Sequence, residues 1–347
     1  MDGCCMRFSK SKIEILPAIN VKRVAPKNLR PGDEKFFNHE YARSFPPIYL
    51  YTLKNIIVSP EGIAFKKLNI FEPSLLDISR KKIYNWKYLL GIIVKRKRNT
   101  LNKNDIYILA FDEWSGGYFH WMCDVLPRIL AIDNQLHNCI LLLPQRFSST
   151  FIIETLKIFN LKGIQRIPNK SIVNIKTLLL PTHIAPTGNY NPAIMFNLRD
   201  RLINYYNRKD ISFGDKIYIS RKKAEYRYII NESEVENVIK KYGFKTIYFE
   251  DYTIMEQISI MRNTKYFVGI IGANLTNMMF MKEGGKVFLF NKNNNAADNC
   301  YFNLANVYNL HYYYQFCSYE DTRPGAYWNL YVDIDLFKNN LEKMLLD

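Results

Sequence analysis

Lys265-Tyr-Phe-Val-Gly-Ile270, followed at once by Ile271-Gly-Ala-Asn-Leu-Thr-Asn277, is the stretch that decides the fold. A continuous apolar run of this length reads as a strand buried on both faces. The small residues after it make a turn, and a helix begins near Asn274. The same alternation extends outward on both sides. Upstream, Lys216–Ser220 reads as a strand, Glu232–Tyr242 as a helix, Phe244–Phe249 as a strand and Ile254–Arg262 as a helix. Downstream come a strand at Lys286–Phe290, a helix at Cys300–Val307 and a last strand at Leu310–Tyr314. Asn231-Glu-Ser-Glu234 and Thr253-Ile-Met-Glu256 have the pattern of capping boxes. The end, Asp335–Leu346, carries apolar residues at 336, 337, 341 and 345 and predicts a docked amphipathic helix.

The first half repeats the rhythm less regularly. Ile106–Phe111 reads as a strand, Trp114-Ser-Gly-Gly117 as a loop, and a helix follows from Tyr118. Cys139–Leu143 is a strand closed by Pro144, Ser149–Asn160 a helix, and Lys176–Leu180 a strand closed by Pro181. Residues 48–67 form a hairpin turning at Ser59-Pro-Glu-Gly62. Thr182–Pro192, with two prolines and a glycine, reads as a linker. The expectation is an α/β protein with two facing Rossmann-like domains and an interdomain cleft. An irregular segment covers 1–45, the domains cover 46–190 and 191–331, and a docking helix covers 332–347.

Bulk composition narrows the function classes. With 48% apolar and 15% aromatic residues the chain can pack a core, which excludes a disordered protein. Six cysteines in 347 residues exclude a disulfide scaffold. Cys123, Cys139, Cys300 and Cys317 lie in apolar stretches and read as buried thiols, and Cys4-Cys5 falls in a tail. The longest apolar runs, Tyr88–Val94 and Ile106–Phe111, have the length of buried strands, well short of the roughly 18 residues of a membrane span. The start lacks the apolar core of a signal peptide, so the expected location is the cytoplasm, with peripheral contact to an anionic inner membrane face. The net charge of +16 leaves nucleic acid, an anionic membrane or phosphorylated small molecules as partners. Lys95-Arg-Lys-Arg98 is the densest basic run, read either as an exposed turn between strands or as an attractor of anionic surfaces. No nucleic-acid-binding motif accompanies it, so nucleic acid is not expected as a partner.

Three constellations carry chemistry. In Gly116-Gly-Tyr-Phe-His120-Trp-Met-Cys-Asp124-Val-Leu-Pro-Arg128, helical spacing puts His120, Asp124 and Arg128 on one face. An imidazole beside a carboxylate is a proton-accepting pair, and the carboxylate fixes its tautomer. Gly116 and Gly117 permit a tight turn into that helix, and Pro127 should bend it. Trp121 and Arg128 read as acceptor-side or structural residues. In the turn Gly272-Ala273-Asn274-Leu-Thr276-Asn277, helix-start amides suit a diphosphate, with Asn274, Thr276 and Asn277 adding donors. In Ser220-Arg221 through Arg227, two arginines follow a strand that should lie beside that turn, ready to stabilise a departing diphosphate. Each also has a purely structural reading: a surface salt-bridged trio, an ordinary strand–helix turn, and a solvated basic loop. Asp333-Ile-Asp335 is assigned to capping the last helix rather than to metal. No zinc spacing occurs among the cysteines and histidines.

Taken together, Tyr118–Arg128, Ile219-Ser-Arg221 through Arg227 to Asn231-Glu232, and Gly269-Ile-Ile-Gly-Ala-Asn-Leu-Thr-Asn-Met-Met-Phe280 resemble glycosyltransferase family 61 over about residues 50–320. That family includes O-mannose and EGF-domain N-acetylglucosaminyltransferases, plant xylosyl- and arabinosyltransferases, and bacterial capsular-polysaccharide proteins. The resemblance implies a GT-B-like fold, inversion at the anomeric carbon, and a nucleotide-sugar donor, a UDP-sugar first, held by the C-terminal domain. It also implies a glycan or glycoconjugate acceptor on the N-terminal side and no essential divalent metal or other cofactor. His120 supported by Asp124, or Asp124 itself, would be the base, and Arg221, Arg227 and Gly272–Asn277 would hold the diphosphate. Ile271 stands where family members often have His, and Val287-Phe-Leu-Phe290 where many have Glu. The alternative is a noncatalytic sugar- or polyanion-binding protein on the same scaffold.

Overall fold

The computed structural model describes residues 9–207, 211–292, 299–323 and 327–347, so the Cys4-Cys5 pair lies outside the described residues. The chain divides into two units, one formed by residues up to 19 and 45–187, the other by 20–44 and 188–347. Each is α/β.

The first unit is built on a mixed sheet. Its strands run in the order Gly163–Ile167, Cys139–Pro144, Ile106–Ile108, Ser171–Pro181, Ile48–Val58, Ala64–Lys66, Asn69–Ile70. The first four are parallel neighbours, and Ile48–Val58 joins antiparallel. In chain order those four parallel strands lie 3-2-1-4, so the strand order reverses between Ile106–Ile108 and Ser171–Pro181. The carboxyl ends at such a reversal form the crevice where α/β sheets hold ligands. The hairpin turn at 59–62 is present, with Gly62 at φ +85° and its Cβ position 2.5 Å from the Phe111 carbonyl, so only glycine fits there.

The second unit carries a six-stranded sheet in the order Lys245–Ile247, Lys216–Ile219, Tyr266–Ile270, Lys286–Lys292, His311–Arg323, Tyr327–Tyr331. All neighbours are parallel except the last pair. This is the doubly wound 2-1-3-4-5 order, reversing between Lys216–Ile219 and Tyr266–Ile270. The helix Ile254–Arg262 starts on the expected capping box of Thr253 and Glu256. The final helix, Ile334–Leu346, is capped by Asp333 and seats Phe337 on Phe288 and Phe290.

Several expectations are corrected. Tyr88–Val94 is no strand but part of a helix, Trp86–Lys95, because Asn85 accepts the Lys87 and Tyr88 amides at 3.0 and 3.2 Å and starts it. Lys95–Arg98 is therefore the junction of a helix and the strand Lys97–Thr100, not a turn between two strands. Residues 9–45, expected to be irregular, contain strands Ser9–Leu16, Ile19–Lys22 and Ala42–Phe45. The run Ala273–Phe280 is a 3-10 helix rather than an α-helix. Asn231 sits at the N-cap position, but its side chain makes no capping bond; its amide group donates to the Val332 carbonyl and accepts the Val332 N–H, both at 2.9 Å. Cys300 is half-buried, whereas Cys123, Cys139 and Cys317 are buried, and burial pushes the Cys317 thiol up to about 12. No helix among the described residues is long and apolar enough to cross a membrane.

Candidate functional site

In the first unit, the chain leaves Ile106–Ile108 and turns at Asp112–Gly117 into a short helix, Tyr118–His120. Gly117 has ordinary extended angles, so the double glycine is not there for a left-handed turn; a Cβ on Gly116 would stand 3.0 Å from the Phe147 ring. A π-helical turn, Trp121–Val125, follows, and then the helix Leu126–Leu130. Pro127 supplies no N–H to the turn before it, and the wider turn takes the place of the expected bend.

His120 Nδ1 and Asp124 Oδ2 are 2.8 Å apart. A carboxylate only accepts, so Nδ1 donates and the lone pair of the ring is on Nε2. Asp124 is buried and His120 is part-exposed, beside the indole of Trp114 at 5.2 Å. Trp114 is itself exposed and lies under the Arg80 guanidinium, which Glu113 holds at 2.9 Å.

Arg128, the third member of the expected face, makes its hydrogen bonds to main-chain carbonyls. It is fully buried and donates to the Pro181 carbonyl at 2.8 Å and the Ala110 carbonyl at 3.1 Å, tying together the two strand ends at the reversal. Trp121 is also buried, its indole N–H donating to Thr155 at 2.8 Å. Neither side chain presents a surface to an acceptor.

The reversal holds a second imidazole–carboxylate pair that the sequence reading missed. His183 Nε2 is 3.1 Å from Asp112 Oδ2, and Arg128 Nη1 is 3.4 Å from the same nitrogen. Asp112 also accepts from the Trp114 amide and the Ser115 hydroxyl. Burial alone would raise the Asp112 carboxyl, but the His183 hydrogen bond, the charges of His183 and Arg128, and Ser115 outweigh it and hold it well below the usual carboxylate range. Burial pushes Arg128 down to about 10 against the pull of Asp112 and Asp124. Burial, then Arg128, lowers His183. The only signal in the sequence was that Asp112 and His183 each follow the end of an apolar strand.

In the second unit, Arg221 follows Lys216–Ile219 and Gly272 follows Tyr266–Ile270, at the reversal of that sheet. The two residues meet. A Cβ on Gly272 would lie 2.5 Å from Arg221 Nη1 and 2.9 Å from Cζ. Arg221 Nε donates to the Arg227 carbonyl at 3.1 Å. Arg227 takes a left-handed φ of +59° that delivers this carbonyl, and its guanidinium lies 5.4 Å from the Trp328 ring. Burial, then the charge of Arg227, lowers Arg221 from its ordinary value, with Tyr301 and Glu250 pulling the other way.

The turn residues after Gly272 that were assigned to the diphosphate divide. Ala273 and Asn274 are half-buried, and their amides precede the first bond of the 3-10 run, which Leu275 N–H makes to the Gly272 carbonyl at 3.0 Å. Thr276 and Asn277 are fully buried, and the Asn277 amide donates to Gln257 at 2.8 Å. Asn274 donates to Glu250, an exposed carboxylate beyond the end of Lys245–Ile247. Ile271, at the position where a His was expected from the resemblance, is buried. Among the described residues no group of three or more His, Cys, Asp or Glu side chains is arranged to hold a metal ion.

Comparison with known proteins bears on both sets. Residues 118–288 match the model of the family Glycosyltransferase 61, a narrower span than the resemblance was drawn over. The EGF domain-specific O-linked N-acetylglucosamine transferase of Bos taurus is 31% identical over 103 residues, 28% of this chain and 19% of that protein. The protein of the same name from Drosophila melanogaster is 31% identical over 99 residues, 27% of this chain and 18% of its own length. The matched stretch is thus only about a fifth of the length of these curated relatives. The matched family region runs from Tyr118 past Asn277, taking in His120, Asp124, Arg221 and Gly272, and over that stretch the chain is similar to glycosyltransferase family 61.

Proposed function

We propose that the protein is an inverting glycosyltransferase with a GT-B-like arrangement of its two units, transferring a sugar from a nucleoside diphosphate sugar, first a UDP-sugar, to a hydroxyl of a glycan or glycoconjugate. The observation that carries this reading is that each sheet places its chemistry at the carboxyl-end reversal, a proton-accepting pair in one unit and an arginine against a glycine turn in the other.

In this reading His120 Nε2 takes the proton of the acceptor hydroxyl, while Asp124 holds the tautomer and stabilises the imidazolium that forms. The hydroxyl oxygen bonds to the anomeric carbon from the face opposite the leaving group. The bond from that carbon to the phosphate oxygen breaks, and its electron pair leaves with the nucleoside diphosphate. Arg221 and the amides of Ala273 and Asn274 stabilise that charge, with Arg227 holding Arg221 in place. Glu250, beside Asn274, is placed to accept ribose hydroxyls, the role an acidic residue at a second strand end plays in nucleotide-binding sheets. The chain itself supplies no metal in this scheme.

Transfer assays with a panel of nucleotide sugars test the proposal. His120→Ala is expected to lower turnover by about 10²- to 10⁴-fold while leaving nucleoside diphosphate binding intact. Donor binding without turnover in the wild-type protein would favour the noncatalytic binding protein, and near-normal turnover in His120→Ala would remove the assigned base.

A further inference from the structure

The helix Trp86–Lys95 is apolar on two faces. Leu89 and Ile92 enter a core cluster with Ile63, Phe65, Leu75 and Ile172. Trp86, Leu90 and Val94, spaced by four, form a second stripe that is 56%, 45% and 74% exposed. Ile78 and Ile83, just before the helix, are 61% and 53% exposed. A helix apolar all round is ordinarily buried, and five large exposed apolar residues between positions 78 and 94 depart from the scattered singles normal on a surface. Gly91 lies between the two faces, with no atom of the described residues beyond its own helix within 4 Å of its Cβ position.

The charge around this stripe has one sign. Residues 78–98 contain eight lysines and arginines and no acidic residue. Arg80, Lys81 and Arg96 are paired with Glu113, Glu72 and Glu61. Lys82, Lys87, Lys95, Lys97 and Arg98 have no carboxylate partner among the described residues, and all five are exposed. A nucleic acid would satisfy the cations but leave the apolar stripe in water. A second copy would cover the stripe but set two groups of unpaired cations against each other. A lipid surface with anionic headgroups satisfies both.

We propose that the Trp86–Lys95 helix and the preceding turn form a surface that binds anionic lipid bilayers. The helix is about 15 Å long and lies in the plane of the interface. Trp86, Leu90, Val94, Ile78 and Ile83 enter the boundary between headgroups and acyl chains, at the depth tryptophan favours. The unpaired lysines, which flank the stripe along the chain, reach outward to the lipid phosphates. Nothing in this depends on the glycosyl-transfer reading, so each can fail alone.

Co-sedimentation of the full chain with vesicles tests it, using phosphatidylcholine alone and phosphatidylcholine mixed with phosphatidylglycerol. Binding is expected to be at least about tenfold stronger to the anionic vesicles and to weaken with salt. Leu90→Ser with Val94→Ser should lower it about tenfold or more, and Val94→Ser alone, at the most exposed position, should lower it measurably with an unchanged melting temperature. Lys87→Gln with Lys95→Gln should reduce the preference for anionic over neutral vesicles. The proposal is overturned if anionic vesicles bind no better than neutral ones, or if the serine variants bind as the wild type does. It is equally overturned if an oligonucleotide is bound in preference to vesicles with no effect of the serine substitutions, or if those substitutions only dissolve a dimer.

Discussion

Each unit places an arginine where its strand order reverses, and the two are committed to different ends. Arg128 is fully buried, and its guanidinium donates to main-chain carbonyls that end two strands, Ala110 and Pro181. Its charge balances Asp112. Arg221 is only partly buried, is held from one side by the Arg227 carbonyl, and lays its outer nitrogen along Gly272. One arginine joins two strand ends, and the other lies against a glycine turn. Both lie within the region that matches the family model, so residue type alone does not separate architecture from chemistry; what the guanidinium donates to does.

The sharpest way to break this contrast is Arg128→Ala. It should cost about 3–5 kcal/mol, because it leaves Asp112 buried without its cation and two carbonyls without donors. Urea or thermal unfolding measures this, and Arg128→Lys should rescue little, since an ammonium cannot serve both strand ends as the planar fork does. A stable Arg128→Ala protein lacking only turnover would put this residue in the chemistry instead. Arg221→Ala should do the opposite, changing stability by under about 1 kcal/mol while lowering nucleoside diphosphate affinity by about 10- to 100-fold in calorimetry, the worth of a charged hydrogen bond.

The glycines sharpen the comparison further. Gly269→Ala drives a methyl into Ile219 and Leu275 and should destabilise by about 1–3 kcal/mol. Gly272→Ala meets only the movable end of Arg221, so it should fold nearly as well and bind the diphosphate more weakly. The smallest effect is one of pH. Burial, then Arg128, lowers the His183 imidazole below its ordinary value, so the unfolded chain takes up its proton first as pH falls below about 6.5. Stability should be fully present above that pH and decline below it, before the Asp112 carboxyl contributes its own loss at lower pH. His183→Gln should flatten the melting temperature between about pH 6.5 and 5.

The second sheet was legible because its strands are unbroken apolar runs and because the helix Ile254–Arg262 announces itself through Thr253 and Glu256. Tyr88–Val94 was misread because an apolar run of that length suits a strand or a helix equally; Asn85 was the available discriminator. The strand Ser9–Leu16 was hidden by alternating serine and lysine, the composition of a polar strand. Asn231 looked like a cap by local pattern, but Val332, far along the chain, takes both its hydrogen bonds. The His120–Asp124 contact is local and follows from spacing. The Asp112–His183 pair joins residues that follow the ends of different strands, so it depends on strand order, which no local pattern shows. Thr276 and Asn277 were assigned as donors because polar side chains follow the glycine turn; both are fully buried, and the Asn277 amide donates to Gln257, a partner from a separate helix that no local pattern shows.

The π-helical turn at Trp121–Val125 has a consequence for sequence change. Such a turn accommodates one more residue than an α-helix over the same rise. Deleting a single residue there would let the segment relax to ordinary helix while swinging either His120 or Asp124 away from its partner. Indels, tolerated widely in surface loops, should therefore be selected against within these five positions even where every substitution of their apolar side chains by another of similar size is accepted.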